Sequence, residues 1–206
     1  MIAHMKLKLM TAIALAVVAT ISLRAQNTFT PDEAGFIRNW LVLAPIPMSG
    51  QSGADEIHYD FLGGEAKVQA KAGTQIFTGG RSLTWTAHRT PAYFIDFRES
   101  FDPTNGEYVA GYAVAYVIAD APMNVTLALG TNDQGKAWLN GKEVFKFEET
   151  RTLERDSDKV PVSLVQGQNV LILKVINEVI SWQGCARFLQ GNTPVTNLKI
   201  AHAPAS

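Results

Sequence analysis

Apolar residues recur along most of the chain in short runs with alternating spacing, and no long stretch sustains the period of an amphipathic helix. The runs that read as strands are 39–43, 83–87, 93–97, 108–119, 124–130, 136–139, 143–147, 160–165, 169–176, 186–189 and 195–200. Short β-rich runs bounded by turn residues predict an all-β sandwich or barrel. Two runs can be oriented. In 169–176, Leu171, Leu173 and Val175 share one face and Lys174 takes the other; in 124–130, Val125, Leu127 and Leu129 point together with Thr126 opposite. The run 108–119 is apolar on both faces, as a central strand covered on both sides would be.

The punctuation is chemical. Asn140-Gly141 predicts a two-residue hairpin, because both central positions of its turn need positive φ, which Asn and Gly tolerate best. Gln166-Gly167-Gln168 reads as a second tight hairpin. Two short helices are expected, at 31–38 with Thr30 as N-cap and Pro31 in the first turn, and at 147–155. Residues 49–55 and Gly63-Gly64 read as surface loops, and the region 50–80 carries little pattern.

The first residues change the picture. Lys6 and Lys8 precede a nearly uncharged run at 9–23, followed by Arg24-Ala25-Gln26, the layout of a secretory signal cut after Ala25. That run is too short to span a bilayer, which takes about 20 residues. The domain reading is therefore a signal peptide at 1–25 and a single β-sandwich domain at 26–206, secreted or periplasmic. Cleavage removes Lys6, Lys8 and Arg24 and takes the formal charge from −1 to −4. A mildly acidic domain has no electrostatic reason to seek nucleic acid or an anionic membrane, and no membrane span is expected. Cys185 is the one cysteine, so no intramolecular disulfide is possible and packing must hold the fold. Its place between Trp182 and Phe188 suits a buried, inert thiol rather than a nucleophile.

At 130–144 (GTNDQGKAWLNGKEV) the sequence resembles the "S-D-D-G-x-x-x-W-[LI]-[ND]-G" hairpin of glycan-associated β-sandwiches. That pattern is shared by galactose-binding-like modules and by the lectin-like domain named after anthrax protective antigen. Residues 40–47 (WLVLAPIP), 158–165 (DKVPVSLV) and 167–175 (GQNVLILKV) are similar to stretches of the galactose-binding-like relatives attached to bacterial carbohydrate-active proteins. The resemblance covers about residues 36–189. It implies a bacterial protein with a two-sheet jelly-roll β-sandwich of the galactose-binding-like type. In the protective-antigen type an Asp-Asp pair holds calcium and sugar together. Here Asn132-Asp133 leaves one carboxylate where two are common, which weakens a calcium site.

Sugar sites combine aromatic faces for stacking on a pyranose with amides, acids and basic groups for its hydroxyls. The candidate stacking residues are Trp85, Trp182 and Tyr93; the polar candidates are Asn132, Asp133 and Lys136. Trp40 and Trp138 sit amid apolar strand residues and belong to the core. Core packing is an alternative for Trp85 and Trp182, and capping of turn amides is one for Asn132 and Asp133. If calcium binds, Asp133, Asp156 and Asp158 are its candidate ligands; the last two otherwise form a solvated acidic loop.

Catalytic signatures are missing from the sequence: His58, His88 and His202 lie far apart, and there is neither a His-Glu-x-x-His run nor a G-x-S-x-G elbow. Two carboxylates meeting through the fold, such as Asp96 and Glu107, would be the route to an enzyme. The expected function is a secreted, non-catalytic carbohydrate-binding or accessory module. Its expected partner is a glycan or polysaccharide, with a carbohydrate-active enzyme or envelope protein as a further partner. The alternatives are a structural or protein-interaction module of the cell envelope, then a glycan-active enzyme.

Overall fold

The structure is a computed structural model describing residues 27–101 and 107–205, so the expected signal peptide at 1–25 lies outside the described residues. The first strands are β1 Thr28–Phe29, β2 Asn39–Pro47, β3 Gln75–Thr78, β4 Arg81–Thr84, β5 Thr86–Arg89 and β6 Ile95–Asp96. Then follow β7 Val109–Ala119, β8 Met123–Asn132, β9 Gly135–Leu139, β10 Lys142–Phe147 and β11 Asp158–Leu164. The last are β12 Gly167–Asn177, β13 Gln183–Gln190, β14 Thr193–Pro194 and β15 Lys199–Ala201. Two one-turn helices, α1 Gly53–Glu56 and α2 Phe97–Phe101, interrupt them.

The chain is an all-β sandwich. One sheet runs β10-β9-β12-β7, with β2 and β15 sharing the far edge of β7 and carrying β5 and β1. The facing sheet centres on β8, flanked by β11 and β13. Alternation decides what fills the space between them: Leu171, Leu173 and Val175 point inward to meet Val125, Leu127 and Leu129, as the sequence predicts.

The other face of β7 and β12 is buried as well. Tyr112, Val114, Tyr116, Ile172 and Ile176 form a second core beneath a cover made of residues 48–85, which include α1, a 3₁₀ turn at Glu65–Lys67 and the β3–β4 hairpin. This explains why β7 is apolar on both faces. The weakly patterned region is thus a third layer, and Lys174, which the alternation aims away from the core, is fully buried under it.

Local expectations divide. The Asn140-Gly141 turn has φ of 52° and 81° and joins β9 to β10 as a hairpin. Gln166-Gly167-Gln168 does turn tightly, with Gly167 at φ 87°, but it carries the chain from one sheet to the other and is no hairpin. The Asn132–Gln134 segment is also such a corner, from β8 to β9, with a cis peptide between Asn132 and Asp133. No helix forms at 31–38, because Asp32 Oδ1 accepts from the amides of Ala34 (3.0 Å) and Phe36 (2.9 Å) and Phe36 bridges to Arg187. No helix forms at 147–155 either; that loop lies over the outer face of β8, where a Cβ on Gly130 would stand 2.2 Å from the Glu154 carbonyl oxygen. The run 93–97 yields only β6 before turning into α2, and 83–87 breaks at Trp85. The run 195–200 yields only the short β15, and 49–55 runs into α1 rather than forming an open loop throughout.

Candidate functional site

The corner after β8 is tied to two other segments by one carboxylate. Asp133 Oδ1 accepts from the Arg151 amide (3.3 Å) and Oδ2 from the Glu178 amide (3.2 Å), drawing together the corner, the 148–157 loop and the 178–182 loop. Burial pushes the Asp133 carboxyl up, those two amides pull it down, and the nearby Glu178 charge adds to the rise. Arg151 completes the frame: Nε donates to the Thr131 carbonyl (3.1 Å), Nη2 to Thr131 Oγ1 (2.9 Å) and to Asp158 (2.6 Å), and its guanidinium lies 3.8 Å over the Phe147 ring. Glu178 Oε1 accepts from the Gly53 amide (2.8 Å) and from Gln134 Nε2 (3.1 Å).

Between these segments lies a notch of about 390 Å³, lined by Asn132, Asp133, Thr150, Arg151, Glu178 and Ser181 among others, with Val179 and Ile180 as its apolar wall. Asn132 is only 6% exposed, and its Oδ1 is buried without a hydrogen-bond partner. A buried acceptor left unmatched costs about 1–3 kcal/mol.

The other residues expected at a sugar site are elsewhere. Trp85 is 1% exposed within the second core. Trp182 is 0% exposed, donates from Nε1 to the Val175 carbonyl (3.1 Å) and stacks on Phe97 at 5.0 Å. Its ring lies so close to β7 that a Cβ on Gly111 would be 2.6 Å away. Neither indole has a free face, so core packing corrects the stacking role expected of both. Tyr93 is half-buried, packed on Phe36 (5.1 Å) and covered by the Arg155 guanidinium (4.8 Å), and it is no part of the notch. Lys136 lies on the cover side of its sheet, pairing with Glu143 (3.1 Å) and Glu65 (3.8 Å) over the Trp138 ring.

Of the three acids expected around a cation, Asp133 accepts from two backbone amides and the other two are paired with arginines. Asp156 pairs with Arg187 and Asp158 with Arg151. Among the described residues no three His, Cys, Asp or Glu side chains gather as a metal site requires. Asp96 and Glu107 line different depressions and are not brought together. Cys185 is buried, and burial pushes its thiol up to about 12.

A larger cleft of about 610 Å³ opens between β10 and β11. Its amide oxygens are already engaged: Asn140 donates to Asn169 (2.8 Å) and accepts from the Val170 amide (2.8 Å), and Asn124 Oδ1 accepts from Ser163 (2.8 Å).

Sequence reasoning missed the buried hub on the cover side. Lys174 Nζ donates to the carbonyls of Glu56 (3.2 Å), Ile57 (3.1 Å) and Tyr59 (2.6 Å) and to Glu65 (3.4 Å), and Glu65 also accepts from the Tyr112 hydroxyl. Burial lowers the ammonium to about 8, so it stays charged at neutral pH, with its three N–H groups shared among four acceptors. A lysine in an alternating strand carries no sequence mark distinguishing a buried hub from a solvated head.

Comparison with known proteins adds no identity: no protein-family model and no curated protein matches the chain. Among the described residues no helix is long and apolar enough to cross a membrane.

Proposed function

We propose that the chain is a secreted, non-catalytic carbohydrate-binding or accessory module that takes a sugar in the Asn132 notch. The observation that carries this reading is the buried, unpartnered Asn132 Oδ1 beside the side chains of Thr150, Ser181 and Glu178, a set of groups suited to sugar hydroxyls. The likeness of residues 130–144 to the glycan-associated pattern supports it, and so does the all-β sandwich fold; the proposal includes a jelly-roll kinship with galactose-binding-like modules. In this reading Asn132 contacts the ligand and Asp133 positions the loops.

The test is calorimetric titration of the best ligand from a glycan screen. Asn132→Ala should weaken binding about tenfold with little change in melting temperature. Asp133→Ala should instead lower the melting temperature, because two amides lose their acceptor. Unchanged affinity in Asn132→Ala would remove the notch from the account.

A second reading has its own observation. Burial of both Trp85 and Trp182 favours a structural or protein-interaction module of the cell envelope, since neither can serve a sugar. The chain would then retain no glycan.

A further inference from the structure

The aromatic surface missing from the notch lies on the cover. Tyr59 and Phe77 are the most exposed aromatic rings of the described chain, at 57% and 77%, while the four tryptophans are buried. They flank a groove of about 540 Å³ between the turn of the β3–β4 hairpin and the 59–61 loop, with Pro47, Ser49, Phe61 and Thr78 also lining it. The walls are held in place. Phe61 meets the Tyr59 ring edge-on at 4.8 Å, and Thr78 Oγ1 donates to the Phe61 carbonyl (2.7 Å). A Cβ on Gly79 would stand 2.8 Å from Pro47, so the hairpin turn sits directly on the end of β2. From below, Lys174 holds the Tyr59 carbonyl at 2.6 Å and lies 4.9 Å from the Phe61 ring.

We infer that this groove is a stacking subsite for a neutral pyranose of a polysaccharide chain, an inference that rests on the glycan reading above and adds a second contact to it. None of the groove's described lining residues is charged, which disfavours nucleic acid, an anionic lipid surface or a charged peptide. A pyranose presents an apolar C–H face to an aromatic ring and hydroxyls to its rim. The groove matches this with exposed rings and the exposed turn of Gly79-Gly80; the Ser49 and Thr78 hydroxyls, which donate to Glu56 and to the Phe61 carbonyl, keep lone pairs that can accept. Its volume falls within the range of small-ligand sites, about 300–1,000 Å³. Because the loop is anchored by the buried hub, little ordering is needed on binding.

Affinity electrophoresis of the full chain through gels containing galactomannan, xylan or mixed-linkage β-glucan tests this. The double variant Tyr59→Ala/Phe77→Ala should bind the retarding polysaccharide about tenfold more weakly at unchanged melting temperature. Asn132→Ala, run alongside, reports on the notch alone. Undiminished retardation of the double variant, with Asn132→Ala impaired, overturns the groove and leaves the glycan reading standing. Retardation of the wild-type chain by none of the gels overturns both. Binding of an uncharged apolar peptide that is lost in the double variant, with polysaccharide binding intact, reassigns the groove to a protein partner and overturns the inference.

Discussion

Lys174→Met should be among the most damaging single substitutions in the chain. The ammonium is fully buried and donates to three carbonyls and one carboxylate, at 2.6–3.4 Å. Methionine keeps most of the volume and removes every donor. Glu65 is then left with the Tyr112 hydroxyl and the more distant Lys136, 3.8 Å away. Breaking a buried pair from one side costs about 3–5 kcal/mol. The stranded carbonyls alone would cost about 1–3 kcal/mol each if no water replaced the lysine, so the upper half of that range is expected. Against a total stability of about 5–15 kcal/mol, this is a large share. Urea unfolding measures the loss, and hydrogen exchange locates it. Amides in 53–68, which include α1 and the 59–61 loop, should exchange faster, while those of β7 and β12 keep their protection relative to global unfolding. Adding Glu65→Gln should recover part of the loss by removing the stranded charge. A loss below about 1 kcal/mol, or faster exchange spread evenly over the chain, would refute the hub.

Leu173→Ala, on the opposite face of the same strand, should cost about 2–5 kcal/mol through lost burial and a residual cavity; a urea midpoint near wild type would contradict its inward placement. The two half-buried histidines should each contribute a loss of stability in mild acid. His88 is pulled below its ordinary value by burial and its Nε2 has no partner, so above about 6.5 both folded and unfolded states hold it neutral. As pH drops from there toward the lowered folded value, the unfolded chain takes the proton first, and stability declines by up to about 1.4 kcal/mol per pH unit. His88→Phe should reduce that slope between pH 5 and 7, leaving the part due to His202, which burial lowers in the same way; an unchanged slope would be the contrary result.

Much of the sandwich was legible because its strands obey a period of two. Leu171, Leu173 and Val175 opposite Val125, Leu127 and Leu129 define the main core from alternation alone, and the two-sided apolarity of 108–119 already demanded a second cover. The cover itself was not legible. Its residues bury scattered groups such as Phe61, Ala70 and Trp85 from loops and single turns, which have no period to read. The failed helix at 31–38 has a local cause in Asp32, whose side chain satisfies the amides a helix would have left to its first turn.

The site was legible only in part. Asn132 and Asp133 stood out through their turn, but Arg151, Glu178 and Ser181 reach the same notch from segments 18 or more residues away, and nothing in the sequence pairs them. Tryptophan invited a stacking role for Trp85 and Trp182, yet an indole amid apolar strands is a large core filler whenever its N–H finds a carbonyl, as that of Trp182 does at Val175. The rings left in solvent, Tyr59 and Phe77, lie in the region with least pattern.

On the glycan reading proposed above, the sandwich holds a neutral sugar and neither Asp156 nor Asp158 ligates calcium. The most direct measurement is a glycan-array screen of the chain in the presence of calcium and again in the presence of a chelator. A defined set of neutral glycans should be retained equally in both, because Asp156 and Asp158 are held by Arg187 and Arg151. Retention of no glycan in either condition would contradict it.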